Sequence, residues 1–371
     1  MNQSEATNPI KDSRDWLVSI LNGAPAKPHY PADYQSFVSS AELEGVSALV
    51  YPPLIEQAPQ SDLAARFRDQ IRQHAARTML LQEERIRVLQ ILNKTDPLIL
   101  KGEAMAYACY RQYQERPMTD LDILVPDTRL KSVSDSLIEA GYRRADSSSG
   151  DLVMPQVSFS KILTLGVTNV LDVHTALFNR PGLQNLLGYE ELLICAQHGK
   201  HPVGMIPSLG NLLIHASLHL MAHHFNSRRL IWLYDIKLLL EKMSDEDDRH
   251  VIKFCQRHRL AAAILKAVQA SRVVFPSGHC ALSDQLEKQA VAQIAPHIST
   301  GLLKAESQFS LVIQDWNSLR GIRQRGTWLR QHLLPAPDYM MQRYNLVGKW
   351  RLPFYYLWRI LRGSVKLFSS K

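Results

Sequence analysis

Apolar positions recur at helical spacing through the first ninety-odd residues, shorten to brief runs between Pro97 and Phe178, and return to helical spacing beyond Leu183. In the first section "YQSFVSSAELEGVSALVYPPLI" has spaced apolar positions, and "LAARFRDQIRQHAARTMLLQEERIRVLQILNK" is a long helix-forming run without Gly or Pro. The middle section reads differently. "PLILKG" is a short apolar strand stopped by a glycine, "EAMAYACYRQYQ" a helix of about three turns, and "RPMT" a turn. "LDILV" is then a strand, "TRLKSVSDSLIEAGY" a helix ended at Gly141, and "VTNVLDVHTAL" another strand. Further on, "PSLGNLLIHASLHLMAHHF" starts with Ser208 as a candidate N-cap, and two more helical runs follow it. The pattern predicts an α+β fold, a small mixed β-sheet core flanked by N-terminal and C-terminal helical regions. The expected divisions are a helical region over 1–95, an α/β core over 96–182, a helical domain over 183–315 and a basic segment over 316–371.

Composition changes little in this picture. A chain of 371 residues that is 46% apolar and 21% charged is an ordinary folded protein with two or three subdomains. The polar start "MNQSEATNPIKDSRDW" has no signal-like apolar run, and no uninterrupted stretch of about 18 apolar residues suggests a membrane span. Cys109, Cys195, Cys255 and Cys280 are scattered without a CxxC pair, which points to reduced thiols and a cytoplasmic setting. Charge changes the picture more. The net charge of +8 is concentrated at one end: from Trp316 to Lys371 there are eleven Lys or Arg against one acid, Asp338. Whatever acidic surface the protein meets, that segment meets it.

The candidate chemistry centres on Asp120-Leu121-Asp122. Carboxylates at i and i+2 on a strand point to one face, where they can hold hard divalent cations, Mg2+ or Mn2+. Taken alone, a DxD also serves as a strand-edge turn cap. Its surroundings order the parts as a nucleotide site requires: Lys101-Gly102 ends a strand, one helix follows, then "RPMTDLDILV". Gly102 lets backbone N–H groups approach phosphate oxygens at a helix N-terminus. Asp172, in a predicted strand with Val170 and His174 on its face, is the best third carboxylate. Two metal ions bridged by such carboxylates neutralise a triphosphate and position an acceptor oxygen.

With these residues in place, "LKGEAMAYACYRQYQERPMTDLDILVP" resembles the DNA polymerase β-like nucleotidyltransferase superfamily, in particular its uncharacterised branch related to the abortive-infection type. The "KG" turn, a tyrosine-bearing helix, an arginine, DxD, the later Asp172-Val173-His174 and Trp232-Leu233-Tyr234-Asp235 after a histidine-containing helix carry the resemblance, over roughly Leu98 to Lys242. It implies Asp120, Asp122 and Asp172 as catalytic and metal-binding residues, with Lys101, Gly102, Arg116, His174 and His219 at the nucleotide. Glu103, directly after the glycine, is unhelpful beside phosphate unless it points away.

Several residues admit two readings. Arg116 clamps the triphosphate or pairs with an aspartate. His215, His219 and His223 share a helix face as a structural row, a pocket wall or a zinc site lacking the HExxH glutamate. His174 lies in the pocket or in the core. Asp235 reads as an ion-pair partner of Arg228 or Arg229, and Tyr107 and Tyr110 as packing residues. The terminal "KWRLPFYYLWRILRGSVKLFSSK" is either a docked helix with a solvated basic face or an interfacial helix burying Phe354, Leu357, Trp358, Leu361 and Phe368 on anionic lipid. Nucleic acid is not expected, for want of any recognition motif.

The expected function is a metal-dependent transfer of a nucleoside monophosphate from a nucleoside triphosphate to an acceptor hydroxyl of unknown identity, with a link to cell-surface polysaccharide synthesis as one option. An anionic membrane surface is a candidate partner, through peripheral attachment at the inner face. The alternative is a catalytically silent module of the same fold, in a toxin–antitoxin or membrane assembly.

Overall fold

The computed structural model describes residues 9–23, 34–57, 59–145, 150, 152–198, 204–223, 229–276, 281–292 and 308–369. Helices α1 (Pro9–Leu21), α2 (Tyr34–Glu44), α3 (Ser47–Gln57) and α4 (Asp62–Ile91) open the chain. The long spaced run expected before Pro52 divides at Gly45, whose φ of +73° favours glycine. A Cβ there would stand 3.0 Å from side-chain atoms of Arg229 and Ile231, so the α2–α3 corner packs directly on the later helices. Helix α4 starts at Ser61, whose Oγ accepts from the backbone N–H of Ala64, and runs without a breaker for 30 residues.

The sheet is assembled from β1 (Leu98–Ile99), β2 (Asp120–Leu124), β3 (Arg143–Arg144), β4 (Gln156–Ile162), β5 (Thr168–His174), β6 (Gln197–His198) and β7 (Met205–Ile206). Its order is β3-β4-β5-β2-β1-β7-β6. The β2–β5 and β1–β7 pairs are parallel and the remaining neighbours antiparallel, a mixed sheet in an α+β fold. Helix α5 (Lys101–Ala108) connects β1 to β2 and is shorter than the sequence suggests. It ends at Cys109, and a 3-10 turn over Tyr113–Glu115 sends Tyr110 and Tyr113 into the core. Helix α6 (Leu130–Glu139) stops before Gly141, as read from the sequence.

Beyond the short α7 (Tyr189–Ile194), strands β6 and β7 extend the sheet from a stretch the sequence assigns to helices. Helices α8 (Leu209–His223), α9 (Leu230–Lys242), α10 (Asp245–His258), α11 (Ala261–Val274) and α12 (Ala281–Ala292) follow. Ser208 Oγ accepts from Asn211 N at the head of α8, the geometry of a cap. One buried apolar cluster runs from Leu17 to Leu286 and joins the N-terminal helices, the sheet and α8–α12. A second, small cluster of Met340, Leu346 and Leu352 belongs to the C-terminal helices.

Candidate functional site

The sheet register assembles the carboxylates. In the parallel β2–β5 pair Asp120 lies opposite Val170, Asp122 opposite Asp172 and Leu124 opposite His174. Alternation places these six side chains on one face, while Leu121, Ile123, Leu171 and Val173 turn to the other and are fully buried. Strand β4 adds the next row, with Ser158 opposite Asp172 and Gln156 opposite His174.

Asp122 is buried, and its Oδ1 accepts from Lys101 Nζ at 2.6 Å and lies 2.7 Å from His174 Nε2. Burial works to raise its pKa, but the His174 hydrogen bond and the Lys101 ammonium outweigh it and hold the carboxyl far below the usual range. Asp122 is therefore an anion at any physiological pH. Asp172 takes the opposite direction. Burial pushes its carboxyl up, the Ser158 hydrogen bond pulls down, and the nearby charges of Asp122 and Asp120 add to the rise. Ser158 Oγ donates to its Oδ1 at 2.5 Å and Gln156 Nε2 to its Oδ2 at 3.1 Å, which fixes the carboxylate plane.

The ligand atoms of Asp122, Asp172 and His174 lie within 4.8 Å of one another, a group that could hold a metal ion. The donor set fits a divalent cation: two carboxylates suit hard ions, and the buried His174 Nδ1 has no hydrogen-bond partner among the described residues. Asp120 stands outside this tight group. It is half-buried at the strand mouth and accepts from Thr119 Oγ1 at 3.1 Å. His174, read from the sequence as a pocket or a core residue, is buried, with its Nε2 against Asp122.

The first turn of α5 is tightly packed. Lys101 adopts a left-handed backbone with φ of +47°, unusual without glycine and costing about 1 kcal/mol, while its ammonium reaches Asp122. A Cβ on Gly102 would lie 3.0 Å from Met118 Cγ and 3.6 Å from Arg116 Cζ. Glu103 turns away from this surface. It is buried with Arg85 of α4, Nη1 to Oε2 at 2.8 Å, and accepts from the Tyr113 hydroxyl at 2.8 Å. The acid that looked awkward beside a phosphate site is thus part of the core.

Arg116 is engaged with Asp235 of α9: Nε reaches Oδ1 at 2.9 Å and Nη2 reaches Oδ2 at 2.8 Å. Its Nη1 donates to the Pro117 carbonyl at 2.7 Å, and the Tyr110 hydroxyl donates to Asp235 at 2.7 Å. Of its two sequence readings the ion pair is the one the geometry shows, and Asp235 is held by Arg116, an arginine outside its own helix. Residue 228 lies outside the described residues.

A cavity of about 1310 Å³ opens over Lys101, Gly102, Asp120 and Asp122. Its far walls come from α3 and α4, with Tyr51 and His74, and from α8 and α9, with His219 and Trp232. His215 and His219 pack edge-to-face at 5.9 Å; the side chain of His223 lies outside the described residues. Sequence reasoning named Arg229 only as a partner for Asp235. Arg229 lines the cavity with its guanidinium over the Trp232 ring, and its Nε has no hydrogen-bond partner among the described residues. Burial and the nearby Arg116 lower its pKa, against the pull of Glu44. Ser158 and Gln156 were missed, since nothing in β4 singles them out until the register is known.

Among known proteins, the family model described as an uncharacterised nucleotidyltransferase matches residues 30–276, about two thirds of the chain. No curated protein matches it.

Proposed function

Since the chain belongs to the uncharacterised nucleotidyltransferase family, we propose that it transfers a nucleoside monophosphate from a nucleoside triphosphate to an acceptor hydroxyl, in the manner of the polymerase β-like enzymes. The observation that carries this reading is the register of β2 against β5, which sets Asp122 beside Asp172 beneath a cavity whose floor also holds Asp120, Lys101 and Gly102. Asp122, Asp172 and His174 would hold a divalent cation, Mg2+ or Mn2+, with Asp120 facing the cavity as a further carboxylate. Such a cation would supply charge neutralisation for the triphosphate and positioning of the reacting oxygens.

The chain's own residues do the rest. The Gly102 turn brings backbone N–H groups at the start of α5 towards phosphate oxygens. Lys101, whose ammonium reaches the cavity floor at Asp122, would counter phosphate charge. Arg229, on the cavity wall with spare hydrogen-bonding capacity, is a second cation for the phosphates. His219 lines the same cavity as a nucleotide or acceptor contact. Arg116, pinned by Asp235, holds the loop before β2 in place. Asp172, the carboxylate set beside Asp122 by the register, would take the proton from the acceptor hydroxyl. The acceptor oxygen bonds to the α-phosphorus as the bond to the bridging oxygen breaks, and pyrophosphate leaves.

A silent binding module of the same fold has one observation in its favour: Asp122 is already paired with Lys101, and His174 Nε2 lies beside the same oxygen. The other argument for it, an acid beside the phosphate site, disappears with Glu103 buried on Arg85. Incubation with each of the four nucleoside triphosphates labelled at the α-phosphate, Mg2+ and a cell extract separates the two. Label moved into a new product by the wild type and not by Asp120→Asn supports transfer. No labelled product with any nucleotide favours the module.

A further inference from the structure

The family match ends at residue 276, and the basic C-terminal segment lies beyond it. Its last helix, Leu352–Ser369, carries two apolar stripes back to back. The inner one docks on the preceding C-terminal helices. Leu352 joins Met340 and Leu346 in their small core, Tyr355 packs on Tyr344 at 5.2 Å, and the Tyr356 hydroxyl donates to the Pro335 carbonyl at 2.7 Å. Arg359 lies on this side too, its Nε donating to the His332 carbonyl at 3.0 Å. Helical spacing puts 352, 355, 356 and 359 on one face. The opposite face is 354, 357, 358 and 361, and its side chains are bare: Phe354 67%, Leu357 57%, Trp358 49% and Leu361 55% exposed. Trp350, just before the helix, is 76% exposed. A solvated face would carry polar residues at these positions, so the outer stripe is a surface awaiting cover.

We propose that this outer face docks on an anionic lipid bilayer, lying in the plane of the interface. Charge and residue type select that occupant. Exposed Arg351 and Arg362 flank the stripe, and no acid occurs between Asp338 and the last residue, Lys371. Trp350, Phe354 and Trp358 are the aromatic types that settle at headgroup depth. A second copy would bring the same positive charge against itself, which opposes self-pairing. No helix among the described residues is long and apolar enough to cross a membrane, so the contact is interfacial. Docking there would hold the cavity at a membrane surface.

The test uses the full chain and sedimentation with vesicles of neutral phosphatidylcholine or with about 30% phosphatidylglycerol. The wild type is expected to partition at least about tenfold more onto the anionic vesicles, with the difference shrinking at high salt. Leu357→Asp/Leu361→Asp removes the stripe without touching the docked face and is expected to lose about tenfold or more. Arg351→Gln/Arg362→Gln is expected to lose roughly 25-fold, about fivefold for each charge. Circular dichroism and melting verify that each variant is folded; if the aspartate pair melts early, Phe354→Ser serves as the stripe variant. No preference for anionic vesicles, or equal binding by wild type and a folded stripe variant, overturns the proposal. So does a wild-type dimer that is lost in the stripe variant and ignores vesicles, which would assign the face to a second copy.

Discussion

Asp120 and Asp122 stand two residues apart on one strand face, yet replacing each has a different consequence. Asp122 is buried and receives Lys101 and His174; Asp122→Asn should lower stability by about 1–3 kcal/mol in urea unfolding. Asp120 is more open, and Asp120→Asn should change stability by no more than about 0.5 kcal/mol while lowering transfer about 100-fold or more. The usual expectation that removing one of several clustered carboxylates relieves repulsion applies at Asp120 and fails at Asp122. The Asp122 difference should also depend on pH. Its folded pKa lies below the unfolded value of about 4. Its contribution is therefore complete above that value and lost as pH falls towards the folded one. Unfolding of wild type and Asp122→Asn at pH 7 and pH 3 should show the gap narrowing at the lower pH; a constant gap contradicts the assigned ion pairs. At this scale the sequence was informative about the carboxylates, because DxD on a strand needs only local alternation. It was silent on Ser158 and Gln156 and read Arg229 only as a partner of Asp235, because their places at the site exist only once distant elements meet.

Elements are tied together beneath the site by buried charge. Arg85 on α4 and Glu103 on α5 pair inside the core, with the Tyr113 hydroxyl on both and Asn169 of β5 beside Arg85. Glu103→Ala leaves the Arg85 guanidinium buried and unpaired and should cost about 3–5 kcal/mol, read by urea unfolding. Replacing both with apolar residues, Arg85→Met/Glu103→Leu, should recover much of that loss. If the double variant is as unstable as the single one, the pair is not what the site's foundation rests on. Arg116→Ala strands Asp235 in the same way and should also destabilise by about 3–5 kcal/mol, with the loop before β2 loosened. The elements themselves were largely legible. Long Gly- and Pro-free runs gave α4, and apolar alternation gave β2 and β5. The two-residue strands β6 and β7 were not, because so short a run has no period to read. Nor was the partner of Asp235, which lies 119 residues away rather than in its own helix.

The whole molecule encloses the site from three sides. The cavity of about 1310 Å³ is larger than the roughly 300–1,000 Å³ of a typical single-ligand pocket and has room for a nucleotide and an acceptor together. Its walls belong to the N-terminal helices, the sheet and α8–α9, all joined through one core. That arrangement explains why the family match starts well before the DxD strand and continues beyond it. The basic C-terminal segment has its own small core and stands outside that match. The most direct test of the central claim is a thermal-shift titration with ATP, GTP, CTP and UTP, with and without Mg2+, on wild type and Asp120→Asn. Stabilisation at saturation by at least one nucleotide, by about 2–3 kcal/mol at a hundredfold excess over its dissociation constant, should require Mg2+ and vanish in the variant. No shift with any nucleotide, or an equal shift in Asp120→Asn, would contradict a metal-dependent nucleotide site at these carboxylates.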